Sequence, residues 1–380
     1  MIQQNRLIEE FMELVQIDSE SKYEAEICRV LKEKFSSLGL EVEEDDSAVR
    51  SGHGSGNLIC YLPASGQASG PSKVPTIFFT SHMDTVAPGN GIKPQLDEDG
   101  KIRSDGTTIL GSDDKAGIAA MLEAIKVLRE QDIAHGPIQF IITAGEESGL
   151  KGATAMNPQL MKAEFGYALD SNGHVGKIAV AAPSQAKIEI VFTGRSAHAG
   201  VNPEDGISAI TVASKAVSKM PLGRIDPETT ANIGSFMGTG QTNIVCDQVK
   251  LEAEARSLVQ DKLDKQIDAM RQASEAAAQE MGAAVQFESE IIYPSYKYDE
   301  SAPVVELAGK AIRKIGKEPE LFHTGGGSDA NIFNGMGIPT VNLAVGYENI
   351  HTTSEQMPVA ELVSLTELVV AIIVEVAANS

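Results

Sequence analysis

Five acidic or imidazole side chains stand out, because apolar runs typical of β-strands precede four of them. The five residues are His82, Asp113, Glu147, Asp170 and His351. In open α/β sheets, ligands collect at the carboxyl ends of the strands, so side chains there are available for chemistry. Imidazole nitrogen and carboxylate oxygen are the donors that hydrolytic zinc sites use. The pattern predicts a metal-dependent hydrolase.

The number of these side chains fits a pair of metal ions. Two ions about 3.5–4 Å apart can polarise a carbonyl and activate a water between them. Such a pair needs one bridging carboxylate and roughly two further protein ligands for each ion. The five residues meet that requirement with Asp113 as the bridge. We therefore expect two zinc ions, or cobalt or manganese in their place.

Two further carboxylates lie beside the predicted ligands. Asp84 is two residues after His82, where it is suited to hold the other imidazole nitrogen and fix the tautomer. Glu146 precedes Glu147 in a turn flanked by glycines, where it could face the water as a general base. Each residue alone has a structural explanation; acids such as Asp113, for example, favour helix starts. Their combination in one predicted sheet favours a catalytic role over a structural one.

The elements that must position these residues alternate between strand and helix. Helical spacing of apolar residues covers Arg6–Leu38, with a break near Asp18–Ser21, and a further helix begins near Asp113. Strands before and after that helix make a βαβ pattern, which indicates a parallel sheet. The strands expected before the candidate ligands are Thr76–Thr80, Pro137–Thr143, Phe165–Leu169 and Thr340–Val345.

The pattern changes in the middle of the chain. From roughly Ala181 to Tyr293 the order is βαββαβ, which is typical of a ferredoxin-like unit, and none of the five candidate ligands lies there. Parallel-sheet character then resumes with a helix at Ala302–Ile315. The predicted fold class is therefore α/β, a mixed-sheet catalytic domain with an inserted ferredoxin-like domain. The expected boundaries are 1–180 and 294–380 for the first domain and 181–293 for the second.

The composition of the chain limits the kinds of binding partner and the cellular compartment that we expect. A formal net charge of −22 over 380 residues argues against nucleic acid or an anionic membrane as a partner. Met1–Arg6 lacks the apolar core of a signal peptide, and the apolar stretch Leu368–Ala378 is too short to span a bilayer. We expect that stretch to be a core helix. The three cysteines, Cys28, Cys60 and Cys246, form no C-x-x-C pattern. We therefore expect a cytoplasmic protein without a thiolate zinc site.

Several segments resemble those of a known family, the co-catalytic zinc peptidases that include peptidase T, carboxypeptidase G and the aminoacylases. The resemblance covers nearly the whole chain and is closest to peptidase T-like proteins. After Thr85, however, Val86–Gly89 is more similar to the deacylase branch. The segments that carry the resemblance are Ser81–Thr85, Gly111–Gly117, Ala144–Gly149, Gly194–Gly200 and Thr324–Asn331.

The resemblance implies a specific distribution of ligands. One zinc would be held by His82, Asp113 and Asp170, and the second by Asp113, Glu147 and His351. A cis peptide bond would follow the bridging aspartate.

The resemblance also assigns roles outside the ligand set. Glu146 would be the base, Asp84 the carboxylate behind the imidazole, and His198 of the inserted domain the group that stabilises the carbonyl oxyanion. The inserted domain would form a lid and often a homodimer interface.

The resemblance also implies substrate contacts from Asn243 and Arg256 in the inserted domain, and we expect the tight glycine turn at Gly326 to line the substrate cleft. An exposed strand arginine and a turn asparagine explain the first two equally well.

The main prediction is an aminopeptidase that acts on short peptides. Alternatives are an N-acyl amino acid deacylase or a carboxypeptidase or dipeptidase of the same family, and, outside enzymes, a metal-free binding protein on the same fold.

Three other histidines show no partner pattern. We expect surface or turn positions for His53, His135 and His174.

Overall fold

The computed structural model describes residues 2–66 and 74–379. Its helices are α1 (Gln4–Val15), α2 (Ala25–Ser37), α3 (Ser47–Ser51), α4 (Ser112–Glu130), α5 (Lys151–Ala155), α6 (Ala209–Lys219), α7 (Gln260–Met281), α8 (Pro303–Lys314), α9 (Asp329–Gly335) and α10 (Val359–Ala378). Its strands are β1 (Glu41–Glu44), β2 (Leu58–Leu62), β3 (Ile77–His82), β4 (Gln95–Leu96), β5 (Lys101–Arg103), β6 (Ile138–Thr143), β7 (Phe165–Ser171), β8 (Lys177–Ala182), β9 (Ser184–Thr193), β10 (Gly223–Asp226), β11 (Thr229–Met237), β12 (Gln248–Ser257), β13 (Ala284–Tyr293), β14 (Tyr296–Lys297), β15 (Glu320–His323), β16 (Thr340–Ala344) and β17 (Gln356–Pro358).

The chain divides into two units, and the second interrupts the sequence of the first. The first unit consists of Met1–Ala181, Tyr298–Thr324 and Ser328–Ser380. The second consists of Ala182–Lys297 and Gly325–Gly327. Each unit has its own apolar core.

A mixed sheet forms the centre of the first unit, with the strand order β1-β2-β6-β3-β7-β16-β8 and with β15 also paired to β8. Strands β3, β6, β7 and β16 run parallel to one another. Every residue of β3 and β6 is buried, because a parallel sheet is covered on both faces, and both strands begin with mainly apolar residues. The predicted parallel sheet is confirmed for these strands, and the sheet as a whole is mixed, as expected.

Helices cover this sheet. Helix α4 packs against β3, α1 and α10, and α8 packs against α10. The core helix expected at Leu368–Ala378 is part of the longer α10, which has buried residues from Val359 to Val376. Among the residues that the structure describes, no helix is both long and apolar enough to cross a membrane.

The second unit contains an antiparallel sheet with the order β10-β11-β12-β9-β13. Helices α6 and α7 pack against it, and the sequence β9-α6-β11-β12-α7-β13 is the predicted ferredoxin-like arrangement. The α/β fold class is thus confirmed. The edge strand β10 was not predicted.

A small antiparallel sheet, in the order β17-β5-β4, joins distant parts of the first unit. Gln356 pairs with Arg103 and Met357 with Ile102. Strands of two or three residues carry too little periodicity to be predicted from sequence. This sheet fixes the segment just before α10.

Gly166 offers a test of the packing on the strand that carries Asp170. A Cβ atom at Gly166 would lie 2.0 Å from Cδ1 of Phe78, whose ring packs against Phe333 with a centroid distance of 4.8 Å. We expect Gly166→Ala to lower the free energy of unfolding by about 1–3 kcal/mol, because the core must shift to admit the methyl group. Urea unfolding followed by circular dichroism measures the change.

The matched control is Gly240→Ala, where a Cβ atom would have no heavy atom within 4 Å. Its unfolding free energy should stay within about 0.5 kcal/mol of that of the parent protein. Equal stability of the two variants would contradict the packing described for Gly166.

Candidate metal centre

The five predicted ligands all lie in the first unit and meet at one edge of its sheet. His82 is the last residue of β3, and Asp170 is next to last in β7. Glu147 follows β6, and His351 lies in the loop after β16. Because these four strands are parallel, their carboxyl ends are at the same edge. Asp113 reaches that edge from the start of α4.

Asp113 occupies the centre of the group. Its Oδ1 lies 3.1 Å from Nε2 of His82, and its Oδ2 lies 3.2 Å from Nε2 of His351. The same His351 nitrogen is 2.9 Å from Oε1 of Glu147, and the His82 nitrogen is 3.9 Å from Oδ1 of Asp170. Each oxygen of one carboxylate therefore faces a different imidazole. Such an arrangement suits a carboxylate that bridges two metal ions.

Asp114 is a neighbouring carboxylate that is not among the five predicted ligands. Two groups have donor atoms within 4.8 Å of one another, His82 with Asp113 and Glu147, and His82 with Asp114 and Asp170. Asp114 is fully buried, and its peptide bond to Asp113 is cis, as the resemblance implied. The acidic pair at the start of α4 thus contributes both of its side chains to the cluster.

The electrostatics of the cluster favour a cation. Burial and then repulsion between neighbouring carboxylates raise the pKa of Asp170, Asp114 and Glu146. Burial also acts to raise the pKa of Asp113, but hydrogen bonds with His351 and His82 outweigh it and lower that pKa. Hydrogen bonds to Asp113 and Glu147 raise the pKa of His351 to about 10. The crowded carboxylates and two imidazoles form a donor set that fits divalent ions such as zinc.

Asp84 connects two parts of the cluster. The nearest acceptor to Nδ1 of His82 is the backbone oxygen of Asp84 at 2.9 Å, and the Asp84 carboxylate is 3.5 Å away. That carboxylate accepts hydrogen bonds from the N–H groups of Glu146 and Glu147, at 3.0 and 3.3 Å, and from the Ser21 hydroxyl at 2.6 Å. The predicted partner of the imidazole therefore also fixes the turn that carries Glu146 and Glu147.

That turn has a second support in His53. Its Nε2 lies 2.7 Å from Oγ of Ser148, and a Cβ atom on Gly145 would lie 2.3 Å from the same nitrogen. Gly145 has a φ of +67°, so a glycine there supplies both the backbone conformation and the space. The side-chain oxygen of Asn57 accepts a hydrogen bond from the Ala144 N–H at 3.2 Å. The turn is thus held by contacts with three residues, Asp84, His53 and Asn57.

Of the surface or turn positions expected for the three histidines, a surface position is wrong for His53, because only 9% of the residue is exposed; it lies in the connection between α3 and β2. A surface position is also wrong for His135, which is 5% exposed and has Nδ1 2.8 Å from the Gly136 carbonyl oxygen. His174 is exposed over 73% of its side chain, as expected. The partner of His53 is 95 residues away in the sequence, so no local pattern reveals it.

Asp170 is held by residues of and near β16. Its backbone N–H donates to the side-chain oxygen of Asn342 at 3.0 Å, and the Asn342 amide donates to the Asp170 carbonyl oxygen at 2.8 Å. The Tyr347 hydroxyl donates to Oδ1 of Asp170 at 3.2 Å.

Asp329 is another buried acid. It accepts a hydrogen bond from Thr143, and burial raises its pKa to about 6. Only the resemblance of Thr324–Asn331 to the family pointed to its segment.

The remaining predicted residues lie in the second unit. His198 is exposed, and its Nδ1 accepts a hydrogen bond from the Gly200 N–H at 3.1 Å. An accepting Nδ1 places the proton of the neutral ring on Nε2. Asn243 is an exposed turn residue whose carbonyl oxygen accepts from the Ala199 N–H at 2.8 Å.

Arg256 and the glycine turn are brought together within that unit. Arg256, on β12, is paired with both carboxylate oxygens of Glu254 at 2.9 and 3.1 Å. It also donates to the carbonyl oxygen of Gly325, which directly precedes Gly326, at 3.2 Å. The guanidinium is therefore oriented by the protein itself.

Comparisons with known proteins agree with this architecture. The aminopeptidase PepT from Bacillus cereus is 60% identical to this chain, with a TM-score of 0.93, and the match covers 99% of both chains. A tripeptidase from Staphylococcus aureus is 48% identical, with a TM-score of 0.95, and the match covers 100% of both chains. An uncharacterised protein of Bacillus subtilis is 61% identical over 377 residues, which are 99% of this chain and 100% of that protein.

The family described as Peptidase family M20/M25/M40 matches residues 78–375. This range spans both units and every candidate ligand from His82 to His351. The resemblance to the peptidase T-like family is thereby confirmed. The chain belongs to peptidase family M20/M25/M40.

Proposed function

We propose that the protein is a metal-dependent aminopeptidase that hydrolyses short peptides, tripeptides among them, with two divalent ions in its site. Membership of the family makes it a peptidase. The observation that carries the metal part of the proposal is the position of Asp113, whose two oxygens face His82 and His351 at 3.1 and 3.2 Å. A carboxylate placed in this way suits a two-ion site better than a single-ion site.

The proposed ligands divide around Asp113. His82 and Asp170 would complete one site, with Asp114 close by, and Glu147 and His351 would complete the other. Zinc is the proposed metal, with cobalt or manganese as substitutes. When bound, such ions polarise a carbonyl and lower the pKa of a nearby water.

Glu146 is the proposed general base. Its backbone N–H is fixed by Asp84, and its carboxyl group is close enough to Asp170 and His82 for their charges to shift its pKa. Burial and then the charge of Asp170 raise the pKa of Glu146, which suits a group that both accepts and returns a proton. Glu146 would take the proton from the attacking water and deliver it to the nitrogen of the leaving amine.

The second unit would supply the contacts to the substrate. His198 carries its proton on Nε2, and this N–H would donate a hydrogen bond to the carbonyl oxygen as negative charge develops there. Asn243, Arg256 and Gly326 would bind the substrate backbone. In this proposal the inserted unit acts as a lid and as a homodimer interface, so that His198 comes from the same chain or from a second copy.

The aminopeptidase assignment is supported by the two solved relatives, which are named as an aminopeptidase and a tripeptidase. We expect the zinc-loaded protein to release the N-terminal residue of a free tripeptide. N-acetylation of the same tripeptide should remove the activity, because it removes the free amino group. Mass spectrometry of the products, with an N-acetyl amino acid as a parallel substrate, measures this preference.

The Asp113→Ala protein is the control for contaminating peptidases. Faster hydrolysis of the N-acetyl amino acid than of the tripeptide would identify a deacylase instead. Release of the C-terminal residue first would identify a carboxypeptidase.

Two variants should separate the base from the ligands. Glu146→Gln is expected to lower kcat by about 10²- to 10⁴-fold while the bound metal stays near the parent value, because it removes a proton acceptor and no ligand. Asp113→Ala should lose both ions, since the bridge serves both. Elemental analysis of dialysed protein and steady-state kinetics give the two readouts. Equal metal loss in both variants would refute the division of roles.

His198→Ala should lower kcat by about 10²- to 10³-fold, as removal of an oxyanion donor does, without changing the metal content. His174→Ala is the control, because this exposed histidine lies in the first unit. Parent-like turnover in His198→Ala would refute the proposed role of His198 in stabilising the oxyanion.

A further inference from the structure

Glu355 is a buried carboxylate that contacts the backbone around Asp113. Only 1% of Glu355 is exposed. Its Oε2 accepts hydrogen bonds from the N–H groups of Leu110 and Gly111 at 2.8 and 2.9 Å. Its Oε1 accepts from the N–H groups of Ser112 and Asp113 at 2.7 and 3.2 Å, and from the Ser112 hydroxyl at 2.5 Å. A single side chain therefore receives five hydrogen bonds from four consecutive residues.

The chemistry of these contacts requires a carboxylate. All five partners are donors, and an ionised carboxylate offers acceptors only. Helix α4 starts at Ser112, where backbone N–H groups lack partners within the helix and the helix dipole favours negative charge. A glutamine at 355 would turn its own NH₂ group toward some of these N–H groups.

Glu355 also belongs to the segment that carries His351. Its N–H donates to the Thr352 carbonyl oxygen at 3.1 Å. The residue after it, Gln356, begins β17 and receives a hydrogen bond from Arg103 of β5 at 2.7 Å. The backbone of Glu355 is thus fixed next to strand β17, and its side-chain carboxylate extends to the start of α4.

We propose that Glu355 is a positioning residue, which holds Asp113 and His351 in the relative position that binding of the two ions requires. This inference rests on the proposed function, since it concerns the same metal centre. Asp113 and Glu355 are 242 residues apart in sequence, so nothing local relates the segments of the two ligands. Glu355 contacts the backbone of one ligand and shares a short segment with the other. Its effect on the metal centre passes through those two residues.

The test is the zinc affinity of metal-free protein, measured by competition with a chromogenic chelator. Glu355→Gln should bind zinc about 10- to 100-fold more weakly than the parent, as loss of a group that orients ligands does. Ser112→Ala removes only the hydroxyl donor and should weaken binding by about two- to tenfold. The small change in Ser112→Ala keeps the test valid if Glu355→Gln folds poorly.

The matched control is Glu123→Gln. Glu123 is on the same helix, is fully buried, and accepts hydrogen bonds from the Gln3 N–H at 3.0 Å and from Arg6. It lies ten residues beyond Asp113, so its loss should lower stability and leave zinc affinity unchanged. Saturating zinc should restore the kcat of Glu355→Gln to within about tenfold of the parent, because a positioning residue acts on metal binding and not on the chemical step.

Unchanged zinc affinity in both Glu355→Gln and Ser112→Ala would overturn the inference. Equal weakening in Glu123→Gln would also overturn it, since any loss of a buried carboxylate would then have the same effect. A parent protein that binds neither zinc, cobalt nor manganese would instead refute the proposed function. The parent titration therefore separates the two failures.

Discussion

The structure must hold several buried or half-buried carboxylates close together against their mutual repulsion. Asp113, Asp114, Glu146 and Asp170 gather around His82, and burial raises the pKa of three of them. An unpaired buried charge costs several kcal/mol, so such a group persists only with compensating partners. Imidazoles supply part of the compensation, and the proposed cations supply the rest. The fold supplies the geometry, because each acid is attached to a fixed backbone.

The supports of the site act mainly on backbone groups. Asp84 binds the N–H groups of Glu146 and Glu147, and Asn342 binds both the N–H and the carbonyl of Asp170. Each support fixes the path of the chain, and the ligand side chain stays available to the site. Removing such a support therefore changes where a ligand lies without changing which atoms can bind a metal.

The sequence predicts the part of this site that depends on regular structure. His82, Asp170 and the Glu146–Glu147 turn follow apolar runs, and parallel strands bring such ends to one edge. It does not predict Glu355 or His53, whose partners are up to 245 and 95 residues away, because a hydrogen bond between distant segments leaves no periodic trace. The family resemblance anticipated the cis bond after Asp113, which no residue pattern alone indicates.

The contact between Glu355 and the start of α4 has a consequence for biosynthesis. A nascent chain that has emerged only as far as the inserted unit already contains His82, Asp113 and Asp170, but it lacks His351 and Glu355. Domains tend to fold in order of synthesis, whereas this first unit must wait for segments from both sides of the insertion. Ion binding stabilises only the chain that can bind the ion. On the ribosome, completion of the polypeptide would therefore precede activation, which would keep an unfinished peptidase from acting on peptides.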